Sequence, residues 1–242
     1  MKFVIGDIHG EFYKLKTLVD SILREDAAAE FIFIGDYVDK GEQVKEVLDF
    51  LSDFKTKHTC TFLLGNHEYQ WIEAAKGDET AIAYLLKYGG RCTMNSFKTE
   101  DVQALALQLE SQYAFAFSAA LTFTETPDYF ICHSGLPALK FAALPAQLEA
   151  KDLLFNRYDF LRHPHLYCGK RVIFGHTAFY QAFYDGFKVG IDTGACYLEK
   201  QPLTAFCVDT EVFYNSNDEH HSLNDCSLEI CPNIIREKSK KW

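Results

Sequence analysis

The chain has 242 residues, 48% apolar and 24% charged, and a formal net charge of −10. That length buries a sizeable core as one large domain or two small ones, and the composition is that of an ordinary soluble globular protein. The acidic balance argues against stable nucleic-acid binding, so a negatively charged substrate would need local positive charge such as metal ions.

Taken in order, the apolar runs alternate with longer helix-like segments. Phe3-Val4-Ile5 predicts a first strand reached directly from Met1, with no apolar run of signal-peptide length before it. A cytoplasmic location with reduced thiols is therefore expected for the eight cysteines. Cys60, Cys132 and Cys207 fall in apolar strand-like runs, where a free cysteine behaves as a small hydrophobe. Leu15, Leu18, Val19, Ile22 and Leu23 recur at helical spacing within Glu11 to Arg24. Phe31 to Ile34 reads as a second strand, and Val44, Val47, Leu48 and Leu51 as an amphipathic helix. Thr61 to Leu64 is a third strand, with a helix from about Tyr69. Strand–helix–strand–helix–strand argues for parallel crossover units with helices covering the sheet.

From about Asp78 to Gln112 the chain reads as helical, interrupted at Gly89-Gly90. The later half is richer in strands, at Tyr129 to Cys132, Arg171 to Phe174, Phe187 to Ile191, Thr204 to Asp209 and Glu211 to Tyr214. No Pro- or Gly/Ser-rich linker divides it, so one catalytic domain over 1–214 is the economical reading. Residues 215–242 turn polar, ending in Lys238-Ser239-Lys240-Lys241, and read as a strap or flexible tail. His220, His221, Cys226 and Cys231 offer four zinc donors there, but their spacing matches no familiar finger and a solvated tail is preferred. No stretch of roughly 18 apolar residues exists to span a membrane, and the oligomeric state is not legible.

The polar residues are informative because of where they fall. Three strand-like runs end in Gly6-Asp7-Ile8-His9-Gly10, Gly35-Asp36-Tyr37-Val38-Asp39-Lys40-Gly41 and Gly65-Asn66-His67-Glu68. Two later runs end in His133-Ser134-Gly135 and Gly175-His176-Thr177. Ligands of parallel sheets bind at the carboxyl ends of the strands, so these five turns can converge on one cleft. A single Asp or Asn before a helix is ordinarily an N-cap, and a lone turn histidine ordinarily surface. Five strand ends with the same chemistry are not explained that way. Asp7, His9, Asp36, Asn66, His133 and His176 supply the oxygen and nitrogen donors that a pair of divalent ions needs.

The runs GDIHG, GDYVDKG, GNHE, CHSGL and FGHT, in this order, resemble the calcineurin-like metallophosphoesterases and, more narrowly, the phosphoprotein phosphatases. Tyr88-Gly89-Gly90, Leu153 to Arg157 and Ile191 to Ala195 resemble its bacterial branch of serine/threonine phosphatases and diadenosine-tetraphosphate hydrolases. The resemblance covers about Lys2 to Asp209. It implies an α/β fold, a four-layer α/β/β/α sandwich with two mixed sheets, and two divalent metal ions, manganese first with iron or zinc as alternatives. It assigns Asp7, His9 and a bridging Asp36 to one ion, and Asp36, Asn66, His133 and His176 to the other. His67 matches the general acid, Asp39 the carboxylate that orients it, and Arg157, Lys40 and Asn66 the groups that grip phosphate. Lys40 departs from the family's arginine, which puts substrate identity in doubt more than chemistry.

The implied activity is hydrolysis of phosphomonoesters, phosphoserine and phosphothreonine in proteins foremost, by a hydroxide that the two metals activate. The alternative is a dinucleoside polyphosphate hydrolase, or more remotely an inactive phosphate-binding scaffold. Partners are therefore a phosphorylated protein or a small phosphate ester or nucleotide. Tyr69-Gln70-Trp71 and Tyr88 to Phe97 are the expected rim of the cleft.

Overall fold

The computed structural model describes residues 1–226. Strands β1 (Lys2–Ile5), β2 (Glu30–Phe33) and β3 (Cys60–Phe62) pair in parallel. β9 (Thr204–Cys207) then joins β1 antiparallel, followed by β10 (Val212–Asn215) and β11 (His220–Ser222), giving the order β11-β10-β9-β1-β2-β3. The second sheet takes β4 (Phe123–Glu125), β5 (Tyr129–Cys132), β6 (Arg171–Phe174), β7 (Phe183–Tyr184) and β8 (Lys188–Gly190) in the order β4-β5-β6-β8-β7. Its inner three strands are parallel and its edges antiparallel, so both sheets are mixed.

Strand alternation sorts the apolar residues into three cores. Successive side chains point to opposite faces, so Phe3 and Ile5 leave one side of β1 while Val4 leaves the other. Phe3, Ile5, Phe31, Phe33, Ala205 and Cys207 pack beneath helices. Val4, Ile32, Tyr129, Ile131, Ile173, Val189 and Phe206 meet between the two sheets. Phe130, Cys132, Val172 and Phe174 face the far side of the second sheet. The strands are thus buried on both faces, which is why they read as unbroken apolar runs.

The helical layer on the first sheet comprises α1 (Phe12–Glu25), α2 (Val44–Phe54), α3 (Asn66–Ala75), α4 (Glu79–Lys87), α5 (Gly90–Ser96) and α6 (Val102–Gln112). α1 buries Leu15, Leu18, Val19 and Ile22, and α2 buries Val44, Val47, Leu48 and Leu51, the stripes expected from their spacing. Asp78 and Asp101 cap α4 and α6, accepting from Thr80 N and Ala104 N at 2.8 and 2.9 Å. The fourth layer is thin. Short single-turn helices between Ala138 and Leu153 and the four-residue α7 (Tyr158–Leu161) supply it, and Leu136, Leu153, Phe160 and Leu161 seal the core.

Two expectations meet the structure differently. Residues 220–222 form edge strand β11, so the region read as a tail begins inside the sheet. His220 stacks on Tyr214 at 4.2 Å and approaches Glu25, and no metal-donor group forms there among the described residues. Cys231, and its pairing with Cys226, lies outside the described residues. The seven described cysteines assigned a state are free thiols. No helix among the described residues is long and apolar enough to cross a membrane.

Candidate metal centre

The carboxyl ends of β1, β2, β3, β5 and β6 run into the five turns singled out in the sequence, and the turns are stitched across the two sheets. His133 Nδ1 lies 2.9 Å from the carbonyl of Ile34, and His176 N donates to Asp7 Oδ2 at 2.9 Å. Three of the turns bend sharply through non-glycine residues. His9, Asp36, Asp39, Lys40 and His176 all carry positive φ, between 45° and 68°, a conformation that costs a non-glycine residue of order 1–3 kcal/mol. Such strain gathers where function over-determines the backbone, and here it turns five polar side chains into one cleft.

Asp36 is the hub. Its carboxylate belongs to one group with His9 and His67 and to a second with His133 and His176, all buried and with donor atoms within 4.8 Å of one another in each group. His9 Nε2 stands 3.1 Å from Asp36 Oδ2, and His133 Nε2 stands 3.4 Å from Oδ1. Asn66 Oδ1 lies 2.9 Å from His133 Nε2 and 2.6 Å from His176 Nδ1.

The protons make this an acceptor-lined hollow. His9 Nδ1 and His133 Nδ1 face the carbonyls of Val38 and Ile34, which only accept, so those nitrogens carry the protons. Burial lowers both imidazoles' affinity for a second proton, as it does for His176, where the charge of Arg157 adds to the effect. His133 Nε2 therefore turns a lone pair toward two other acceptors, Asn66 Oδ1 and Asp36 Oδ1. Asp7 Oδ1 is buried with no hydrogen-bond partner, and a Cβ built on Gly175 would come within 2.0 Å of it. Burial, then the charges of Asp192 and Asp36, push the Asp7 carboxyl up, and burial does the same for Asp192. Neutral imidazole lone pairs, an orphaned carboxylate oxygen and mutually repelling acids fit cations. These residues fit a dinuclear divalent-metal site.

Beside it, His67 Nδ1 pairs with Asp39 Oδ2 at 2.6 Å, which leaves the other ring nitrogen directed at the Asp36 group. Asp39 is itself fixed, its Oδ1 accepting from Trp71 Nε1 at 2.9 Å and Thr93 Oγ1 at 2.6 Å. Trp71 corrects one expectation. It is fully buried and reaches Asp39 from below, so it is no rim residue. Tyr69 does lie toward solvent, edge-on to Phe155. Lys40 Nζ sits 2.9 Å from His9 Nε2 and 2.8 Å from Tyr197 OH. Arg157, half-buried at the start of α7, lies near enough for its charge to act on His176 and Tyr84.

Three residues take roles that the sequence reading did not give them. Tyr84 accepts from Asn66 Nδ2 at 3.0 Å, Thr93 binds Asp39, and Asp192, a further buried acid, closes the end of β8. Only Asp192 had a signal, as a strand-end acid of the pattern already recognised. Glu68 stood inside a motif without a role. It accepts backbone N–H groups from Gly65, Asp36, Tyr37 and Val38 at 2.8–3.2 Å, tying the β2 turn to the start of α3. Glu68→Ala leaves these buried donors unmet and is expected to cost about 3–5 kcal/mol. In thermal unfolding without metal, that is a melting temperature lower by about 10 °C. A change under 2 °C would refute the bracing role.

Residues 3–205 match the profile of the calcineurin-like phosphoesterases. The serine/threonine-protein phosphatase SIT4 of Candida albicans is 39% identical over 79 residues, 31% of this chain and 25% of that protein, so the match spans a quarter of that relative's length. A crystal structure described provisionally as a diadenosine tetraphosphatase has a TM-score of 0.60 at 16% identity, covering 88% of this chain and 91% of that one. A cold-active protein tyrosine phosphatase has a TM-score of 0.67 at 14% identity, covering 92% and 78%. These two likenesses are of fold. The chain belongs to the calcineurin-like phosphoesterase family, whose chemistry is phosphoester hydrolysis.

Proposed function

We propose that this calcineurin-like phosphoesterase is a manganese-dependent phosphomonoesterase that acts on phosphoserine and phosphothreonine in proteins. The observation that carries the reading is Asp36, shared by two buried donor groups with the His67–Asp39 pair alongside. The likeness to a serine/threonine phosphatase over 79 residues supports the substrate class.

Asp7, His9 and Asp36 would hold one ion, and Asp36, Asn66, His133 and His176 the other. When bound, two such ions neutralise phosphoryl oxygens and make a water acidic enough to attack at neutral pH. Asp39 holds the His67 ring so that its free nitrogen faces the departing oxygen, to which His67 delivers a proton. Arg157 and Lys40 grip phosphate oxygens, and Asn66 holds its place through Tyr84.

The second reading, a dinucleoside polyphosphate hydrolase, rests on the aromatic flank of the cleft. Tyr84 and Tyr88 pack ring to ring at 4.5 Å, and Tyr69 meets Phe155 at 6.0 Å, surfaces on which a nucleobase could stack. Protein stripped of metal and reloaded with Mn²⁺ is expected to turn over a phosphothreonine peptide faster than diadenosine tetraphosphate. The reverse preference would make it a nucleotide hydrolase, and activity on neither would leave a binding scaffold.

A further inference from the structure

The Gly35–Gly41 turn carries Lys40 where the resembled family carries arginine. An arginine meets phosphate with a planar two-pronged fork, whereas a lysine ammonium is a compact charge on a flexible stem. A lysine in that position has to be aimed by something else.

The stem is confined first. Lys40 has φ 65° and its N–H donates to Gly89 O at 3.2 Å. A Cβ on Gly89 would lie 2.7 Å from Lys40 N and 2.9 Å from its Cγ, so the stem passes only because residue 89 is glycine. The ammonium is confined next. Lys40 is buried, its Nζ donates to Tyr197 OH at 2.8 Å, and the same nitrogen lies 4.9 Å from the centre of the Tyr197 ring. Tyr197 follows Asp192 by five residues, on the turn after β8, outside every motif that carries the family resemblance.

We propose that Tyr197 is a positioning residue that aims the Lys40 ammonium at the substrate phosphate, so that the pair does the work of an arginine fork. This rests on the phosphomonoesterase reading above. An ammonium has three N–H groups. Tyr197 takes one and His9 Nε2 another, which leaves one for phosphate. His9 would hold an ion through that same Nε2 lone pair, in which case this N–H would be available to the substrate. Two N–H groups of the ammonium would then be available to the phosphate, the number a guanidinium fork offers.

The test is a double-mutant cycle of Tyr197→Phe and Lys40→Arg on the full chain reloaded with Mn²⁺. Inorganic phosphate binding is read by calorimetry and by competitive inhibition, alongside KM and kcat for the phosphothreonine peptide. With Lys40 present, Tyr197→Phe is expected to weaken phosphate about tenfold, and in the Lys40→Arg background less than about twofold. The loss should fall on KM and on phosphate binding more than on kcat. An equal loss in both backgrounds overturns the proposal, because Tyr197 would then act only through packing. Should Lys40→Arg fail to fold, Lys40→Met replaces it with the same expectation. Coupling in phosphate binding without hydrolysis of any phosphomonoester would overturn the substrate reading and leave the Tyr197 assignment standing.

Discussion

Asp36→Asn is expected to lower Mn²⁺-dependent turnover of a phosphothreonine peptide by at least about 10³-fold. The substitution keeps the size of the side chain and removes the charge that both donor groups share. Its second signature lies in stability. A ligand that binds only the folded state raises the melting temperature, so the rise caused by Mn²⁺ should vanish in the mutant. Burial raises the Asp36 carboxyl, but the charges of His133, His67 and His9 hold it well below the usual carboxylate range, so the metal-free mutant should melt lower than the parent. Calorimetric scans with and without Mn²⁺, run beside the turnover assay, check both halves. Retained activity, or a retained Mn²⁺ shift, would end the bridging assignment.

His67→Asn should slow the phosphothreonine peptide about 10²–10⁴-fold, the usual worth of a positioned general acid. Nitrophenyl phosphate departs as a stable phenolate and needs little protonation, so its loss should stay within about tenfold. The selectivity of the loss, more than its size, reports on the role. The geometry behind it is specific: one Asp39 oxygen aligns the imidazole while the other is locked by Trp71 and Thr93. Equal losses on both substrates would mean that His67 serves the site in another way.

Much of the fold could be read from the chain because its signals are local. The stripes of α1 and α2 and the apolar runs of β1, β2 and β6 are short-range patterns set by burial, and each lies where its spacing put it. The donor set was legible for the same reason, since Asp7, Asp36, Asn66, His133 and His176 each sit one to four positions past the end of a strand. What escaped depends on contacts between distant segments. Trp71 reads as a rim aromatic following the third motif, and only its bond to Asp39, 32 residues away, makes it a brace. Tyr197 meets Lys40 across 157 residues, and no local spacing announces such a pair. β11 was hidden because a polar, three-residue edge strand has little apolar pattern to show.

The position of β1 in its sheet has a consequence for how the chain is made. β1 lies between β2 and β9, its earliest and one of its latest partners, with Lys2 N bound to Asp209 across 207 residues. During synthesis, β1, β2 and β3 with their helices emerge first, and one edge of β1 stays without its backbone partner until β9 leaves the ribosome. An open, apolar strand edge of that kind is a template for pairing with another chain. Closure over so long a loop is also a slow step, because its entropy is lost before the contacts repay it. The half-made chain is therefore the aggregation-prone species, and the metal centre can assemble only after β5 and β6 have brought His133 and His176 to the first sheet.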